Sequence, residues 1–71
     1  MVRVTTIGEF GKALRELRKK RGLTQDELAM TVGTTRRLIS ELENGKREVS
    51  LGTALWAAHE IGMDIIAEPR K

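Results

Sequence analysis

The 71 residues predict a mainly all-α domain of four helices closed by a short C-terminal β-strand. Three observations carry that prediction. Apolar residues recur at three- and four-residue intervals through most of the chain, capping residues and glycines interrupt the recurrence at regular points, and the period changes to alternation after Gly62.

Each element follows from local chemistry. Thr6 and Glu9 have capping-box spacing, and Ile7, Phe10, Leu14 and Leu17 recur behind them before Gly22 supplies a helix stop, so the first helix covers about 7–21. Thr24 with Glu27 repeats the device ahead of Leu28, Ala29 and Val32, giving a short helix over 25–32 that ends at Gly33. Thr34 or Thr35 caps a third helix over 35–43, with Ile39 and Leu42 turned inward and Asn44-Gly45 as its stop. Ser50 caps the fourth, whose inward face is read as Leu51, Ala54, Leu55, Ala58 and Ile61 up to Gly62. The tail over about 63–68, MDIIAE, alternates roughly and halts at Pro69, which reads as a strand. A lone strand leaves its backbone groups unpaired, so it requires either Val2-Arg3-Val4 or its own copy in a second chain.

Composition narrows the classes of function. Residues 1–71 read as one domain, with no repeat, linker or low-complexity segment. Cores this small are commonly supplemented by a metal, a disulfide or a partner subunit. The absence of cysteine excludes a disulfide and speaks against zinc, which leaves dimerisation as the expected support and no cofactor or metal. No apolar run approaches the roughly 18 residues of a membrane span, and the N-terminus lacks a signal-peptide core, so a cytoplasmic protein without a membrane partner is expected. No paired carboxylates, phosphate-cradling glycine loop or triad is visible, and His59 stands alone; an enzyme is not expected.

The charge is unevenly placed. The net charge is +3 and the pI about 9.8, and ten of the thirteen basic residues lie between Lys12 and Arg47. A basic end and a nearly neutral last third suggest a polyanion on one side and a protein contact on the other. The run Arg18 to Arg21 also suits the dipole of a helix C-terminus, so both readings stand for that run. Trp56, the only tryptophan, falls off the main apolar face of the fourth helix; it is either partly buried or a dimer or partner contact.

Two short helices joined by a turn at Gly33, the second beginning with polar and basic side chains, form the arrangement that lets one helix enter a major groove. The motif covers about 24–43. From Gly22 to Arg47 the sequence GLTQDELAMTVGTTRRLISELENGKR resembles the helix-turn-helix of the lambdoid phage repressor and Cro class, often called the Xre type. The elements in register are Leu23-Thr24-Gln25, Leu28-Ala29, Val32-Gly33, Ile39-Ser40 and Leu42-Glu43-Asn44-Gly45-Lys46.

The resemblance implies a repressor-like domain bound to double-stranded DNA through the major groove. It implies that Gln25 caps its helix against a phosphate, that Thr35 opens the recognition helix and touches the backbone, and that Arg36 and Arg37 read base edges. Ser40 lies one turn further on the same side, and Lys46 with the backbone of Asn44 and Gly45 matches a phosphate-contacting loop. Arginine can bond both O6 and N7 of guanine, so a G·C pair is expected in each half-site. Glu43 matches a structural carboxylate paired with a basic residue on the first helix, here Arg18. Leu38 departs from the family's small polar residue and either meets a thymine methyl or covers the domain's edge. Glu41 sits where a carboxylate repels phosphate but can accept from cytosine N4.

The last third, SLGTALWAAHEIGMDIIAEP, resembles short antitoxin-type regulators related to HipB, in which a terminal strand pairs with its twofold mate. That resemblance implies a homodimer on a palindromic operator, and two functional readings: an autorepressor, or an antitoxin that restrains a HipA-like kinase or other toxin while repressing its own operon.

Overall fold

The computed structural model describes residues 3–67 and 69–70. Four helices follow in order: α1 (Ile7–Lys20), α2 (Gln25–Val32), α3 (Arg36–Glu43) and α4 (Leu51–Ile61). Both expected capping boxes form. Thr6 accepts from the Glu9 amide at 3.1 Å while Glu9 accepts from the Thr6 amide at 3.0 Å, and Thr24 and Glu27 repeat this at 3.0 and 2.9 Å. Thr35 caps α3 and Ser50 caps α4 in the same way, each accepting from the amide three residues on at 3.1 Å.

The helices meet around Phe10, Leu14, Leu28, Ala29, Ile39, Leu42, Ala54, Ala58 and Ile61. α1 and α2 both pack on α3, and α4 packs on α2 and α1. Leu14, Leu28, Ile39 and Leu42 are fully buried. At about 1.5–3 kcal/mol per fully buried side chain of this size, these four contribute the largest apolar gain in the domain.

A close approach brings α1 onto α3. A Cβ built on Gly11 would lie 1.9 Å from the Leu42 carbonyl oxygen and 2.9 Å from its carbon, so only glycine permits these two backbones to touch. The sequence pattern gives no sign of this, because Gly11 sits inside an otherwise regular helical run.

Two expectations are corrected. The inward face of α4 is Ala54, Ala57, Ala58 and Ile61, whereas Leu51 is 73% and Leu55 41% exposed. The helix is rotated toward its small residues because alanines let it lie close to α1 and α2. The expected strand over 63–68 is not a strand in this chain: residues 63–67 are irregular, and Glu68 lies outside the described residues, as does Val2 of its expected intrachain mate. Among the described residues no backbone hydrogen bond joins the tail to residues 3–5, and an extended segment without a ladder is not a strand. The tail and the N-terminal segment instead line one apolar groove of about 970 Å³ with Phe10, Leu17, Leu51 and Ala54, away from α2 and α3. No helix among the described residues is long and apolar enough to cross a membrane.

Candidate nucleic-acid interface

The turn between α2 and α3 is built by Gly33, whose φ of +85° and N–H bond to the Ala29 carbonyl at 2.9 Å end α2 and redirect the chain. Thr35 then starts α3 on extended backbone (φ −101°, ψ 153°). Trp56 braces this turn from α4: its indole N–H donates to the Val32 carbonyl at 3.0 Å, one of the carbonyls left unpaired at the end of α2. Trp56 remains 51% exposed, and its ring stacks on His59 with centroids 5.7 Å apart. Leu38 is half-buried and packs against the core.

α3 has two unlike sides. Ile39, Leu42 and Glu43 are buried, whereas Arg36 and Arg37 at its first turn are exposed, with the Arg37 side chain 86% accessible. Ser40 is half-buried one turn later. The first turn of α3 carries both arginines and the amides a helix leaves unpaired, so helix dipole and side-chain charge have the same sign at this end.

The end of α3 is equally defined. Gly45 takes φ +68°, its amide donates to the Leu42 carbonyl at 3.1 Å, and the Lys46 amide donates to the Glu41 carbonyl at 2.9 Å, which together make a Schellman closure. The Asn44 side-chain amide also donates to the Ser40 carbonyl at 2.9 Å. Asn44 is thus committed to the helix end, while Lys46 is held by its backbone and leaves its ammonium exposed.

Beneath this surface lies a polar network. Arg18 Nε donates to Glu43 Oε2 at 2.6 Å and Arg18 Nη2 to Glu43 Oε1 at 3.0 Å, a fork-to-carboxylate pair whose side chains are only 9% and 1% exposed. Arg18 Nη1 donates to the Leu23 carbonyl at 2.8 Å, tying the loop before α2 into the same group. The hydrogen-bonded Glu43 carboxylate holds the Arg18 guanidinium above its ordinary pKa, outweighing the opposing effect of burial. Gln25 joins through its amide nitrogen, which donates to Glu43 Oε1 at 3.1 Å. Its nitrogen faces the carboxylate because an amide oxygen there would repel it. The half-buried Gln25 therefore connects the first residue of α2 to the pair, and no buried polar side chain among the described residues lacks a partner.

Of the residues expected at the site, Thr35, Arg36, Arg37 and Lys46 are exposed and Ser40 is half-buried on α3 and its flanks, while Gln25 and Asn44 are held by hydrogen bonds within the domain. Sequence reasoning missed that Glu41 engages two arginines. Arg47 Nη1 donates to Glu41 Oε1 at 3.1 Å, and Arg37 Nε lies 3.8 Å from the same oxygen. The four-residue spacing of Arg37 and Glu41 was the available signal.

A propped helix with an exposed basic first turn, preceded by a short capped helix and followed by a fixed loop, defines a helix-turn-helix module. The chain belongs to the helix-turn-helix domain family, in its Xre type; the family's sequence model matches residues 11–65. It is 37% identical over 67 residues to y4mF, an uncharacterized HTH-type transcriptional regulator of Sinorhizobium fredii (strain NBRC 101917 / NGR234), across 92% of this chain and 88% of that protein. An uncharacterized HTH-type transcriptional regulator of Methanothermobacter thermautotrophicus is 46% identical over 55 residues, 78% of this chain and 80% of the relative. Among solved structures, the restriction-modification controller protein C.AhdI from Aeromonas hydrophila superposes with a TM-score of 0.75 at 38% identity, covering 82% of this chain and 84% of that one. HipB in the HipA-HipB-O2-O3 complex matches over 100% of both chains with a TM-score of 0.84 at 22% identity, a likeness of fold.

Proposed function

We propose that this chain is a transcriptional regulator that binds a palindromic operator as a homodimer and represses its own gene. The observation that carries this reading is the two-sidedness of α3: Ile39, Leu42 and Glu43 anchor it, Arg37 projects from its opposite side, and Arg36 stands exposed at its first residue, at the turn that would meet base edges. In this reading Arg36 and Arg37 donate to guanine O6 and N7, Ser40 follows the same groove, and Thr35 and Lys46 hold phosphates on either side. Gln25 contributes from the N-terminus of α2, where free amides favour a phosphate oxygen. A twofold dimer places two such helices about one DNA turn apart, ~34 Å. The apolar groove and the exposed Ile65 and Ile66 support a dimer contact through the tail, with residues 63–67 gaining a ladder from the second copy.

Fluorescence anisotropy on DNA upstream of the protein's own gene, across a salt series, tests this. Affinity should fall steeply with salt, and scrambled DNA should bind more weakly at every salt concentration. Binding that ignores both salt and sequence would overturn the reading.

A second reading, an antitoxin whose partner is a toxin protein such as a HipA-like kinase, is favoured by the apolar side left exposed at Leu51, Leu55, Ile65 and Ile66. A co-encoded kinase-like neighbour that forms a defined complex with this chain supports it; an isolated gene supports the plain repressor.

A further inference from the structure

We propose that Glu41 is a specificity-determining positioning residue, a carboxylate that sets Arg37 for guanine and weakens the hold of the basic surface on DNA of any sequence. The assignment rests on the DNA-binding reading above.

The geometry begins with the helix. Glu41 follows Arg37 by one turn of α3, so both face the same side, and Arg47 reaches back from the loop after α3 to the same carboxylate oxygen. Glu41 Oε1 thus stands 3.8 Å from Arg37 Nε and accepts from Arg47 Nη1 at 3.1 Å. The three side chains are 86%, 30% and 48% exposed for Arg37, Glu41 and Arg47. Ion pairs this open contribute little to stability, so folding does not explain an acid here.

Its consequence for recognition is larger, through two separate effects. Arg37 approaches Glu41 by Nε, which leaves both terminal nitrogens of the guanidinium free to donate to guanine O6 and N7. A carboxylate on the inner edge of the fork restricts how the long side chain can swing, so less freedom is lost when it meets a base. The second effect is electrostatic. Arg36, Arg37, Lys46 and Arg47 attract phosphate whatever the sequence, and one negative charge among them subtracts from that attraction at every site. This subtraction is common to all sequences, so it loosens the hold on wrong DNA without changing the difference between sequences, and the discrimination itself comes from the setting of Arg37. The placement of Oε1 between two guanidinium groups is what assigns Glu41 to the arginines.

The test is Glu41→Gln, which keeps shape and removes charge, measured by anisotropy against three duplexes over a salt series. The first is the tightest-binding duplex that the wild-type protein selects from a random pool. The second replaces the one G·C pair in it that is most sensitive to Arg37→Ala with A·T, and the third is scrambled. Glu41→Gln should bind the scrambled duplex about 3- to 10-fold more tightly at low salt, with the gain shrinking as salt rises. Discrimination between G·C and A·T should fall about fivefold, and this loss should vanish in an Arg37→Gln background. Unchanged scrambled affinity and discrimination overturn the proposal. So does an equal loss of discrimination in both backgrounds, because Glu41 would then not act through Arg37. A wild-type protein that selects no sequence and shows no salt dependence overturns the DNA-binding reading itself, and this assignment with it.

Discussion

Glu41 and Glu43 lie two residues apart on α3, and each is held by arginine, yet the surroundings of the two carboxylates differ in almost every respect. Glu43 is 1% exposed and meets Arg18 through two hydrogen bonds, with Gln25 as a third donor. Glu41 is 30% exposed and meets Arg47 through one bond and Arg37 at 3.8 Å. Burial decides what each pair can do. In the interior a lost partner strands a charge without water, whereas at the surface water replaces the partner at small cost. A single helix thus carries an anchor on one side and an adjustable electrostatic surface on the other.

The comparison can be broken most directly at Glu43. Glu43→Ala should cost on the order of 3–5 kcal/mol in urea denaturation, because the Arg18 guanidinium and the Gln25 amide lose their shared acceptor. Replacing both members, as Arg18→Met with Glu43→Leu, should recover most of that loss, since the penalty belongs to the stranded charge. If the double variant is as unstable as the single one, the pair contributes more than mutual neutralisation.

Gly11→Ala probes the packing that seats α3. Its new methyl would meet the Leu42 carbonyl, and separation of the helices should cost about 1–3 kcal/mol despite alanine's better helix propensity. A thermal midpoint at or above that of the wild type would show that α1 and α3 can part without penalty.

At the exposed side the expected effects move from folding to binding. Arg36→Ala and Arg37→Ala should each erase about 1–3 kcal/mol of discrimination between operator and scrambled DNA for a lost bidentate contact, with stability nearly unchanged. Equal loss of affinity on all sequences would instead make these residues phosphate contacts. For the same reason Glu41→Gln should alter unfolding free energy by no more than about 0.5 kcal/mol, while changing DNA selectivity as described above.

The smallest effect concerns acid. Hydrogen bonds from Thr5 hold Glu9, and those from Thr24 hold Glu27, below the ordinary carboxylate value of 4.5. A depressed folded pKa stabilises the fold fully above the unfolded value and loses that contribution as pH falls through the folded one. Circular dichroism should therefore show the ends of α1 and α2 loosening only below about pH 4.5, and Glu27→Gln should remove the Glu27 share of that dependence. Helix loss beginning near neutrality would contradict the capping assignment.

What was legible in the sequence was local. The starts and ends of all four helices follow from Thr6, Thr24, Thr35 and Ser50 and from the glycines that close them, because caps act on amides and carbonyls within a few residues. Placement of Arg36 and Arg37 at the first turn of α3 was legible for the same reason. The Arg18–Glu43 pair was readable only through the family's pattern, since 25 residues separate the partners.

Features that depend on how helices approach one another were not legible. Alternation in the tail looked like a strand, but alternation cannot supply the second row of hydrogen-bonding groups that a strand needs, and the described residues of this chain do not supply them. Apolar spacing on α4 marked Leu51 and Leu55 as inward and passed over Ala57; the fit of small residues against α1 and α2 chose Ala57. Trp56 gained a bond to Val32 that no periodicity encodes. The sequence by itself therefore determined where each helix begins and ends and which side chains crowd the first turn of α3. Tertiary structure alone decided that α1 touches α3 at Gly11, that the Glu43 side chain is sealed inside while Glu41 stays in water, and hence which acid anchors the helix and which is left at its surface. The physical reason is range: capping and charge sequence act over one turn, whereas burial is a property of the whole packed surface.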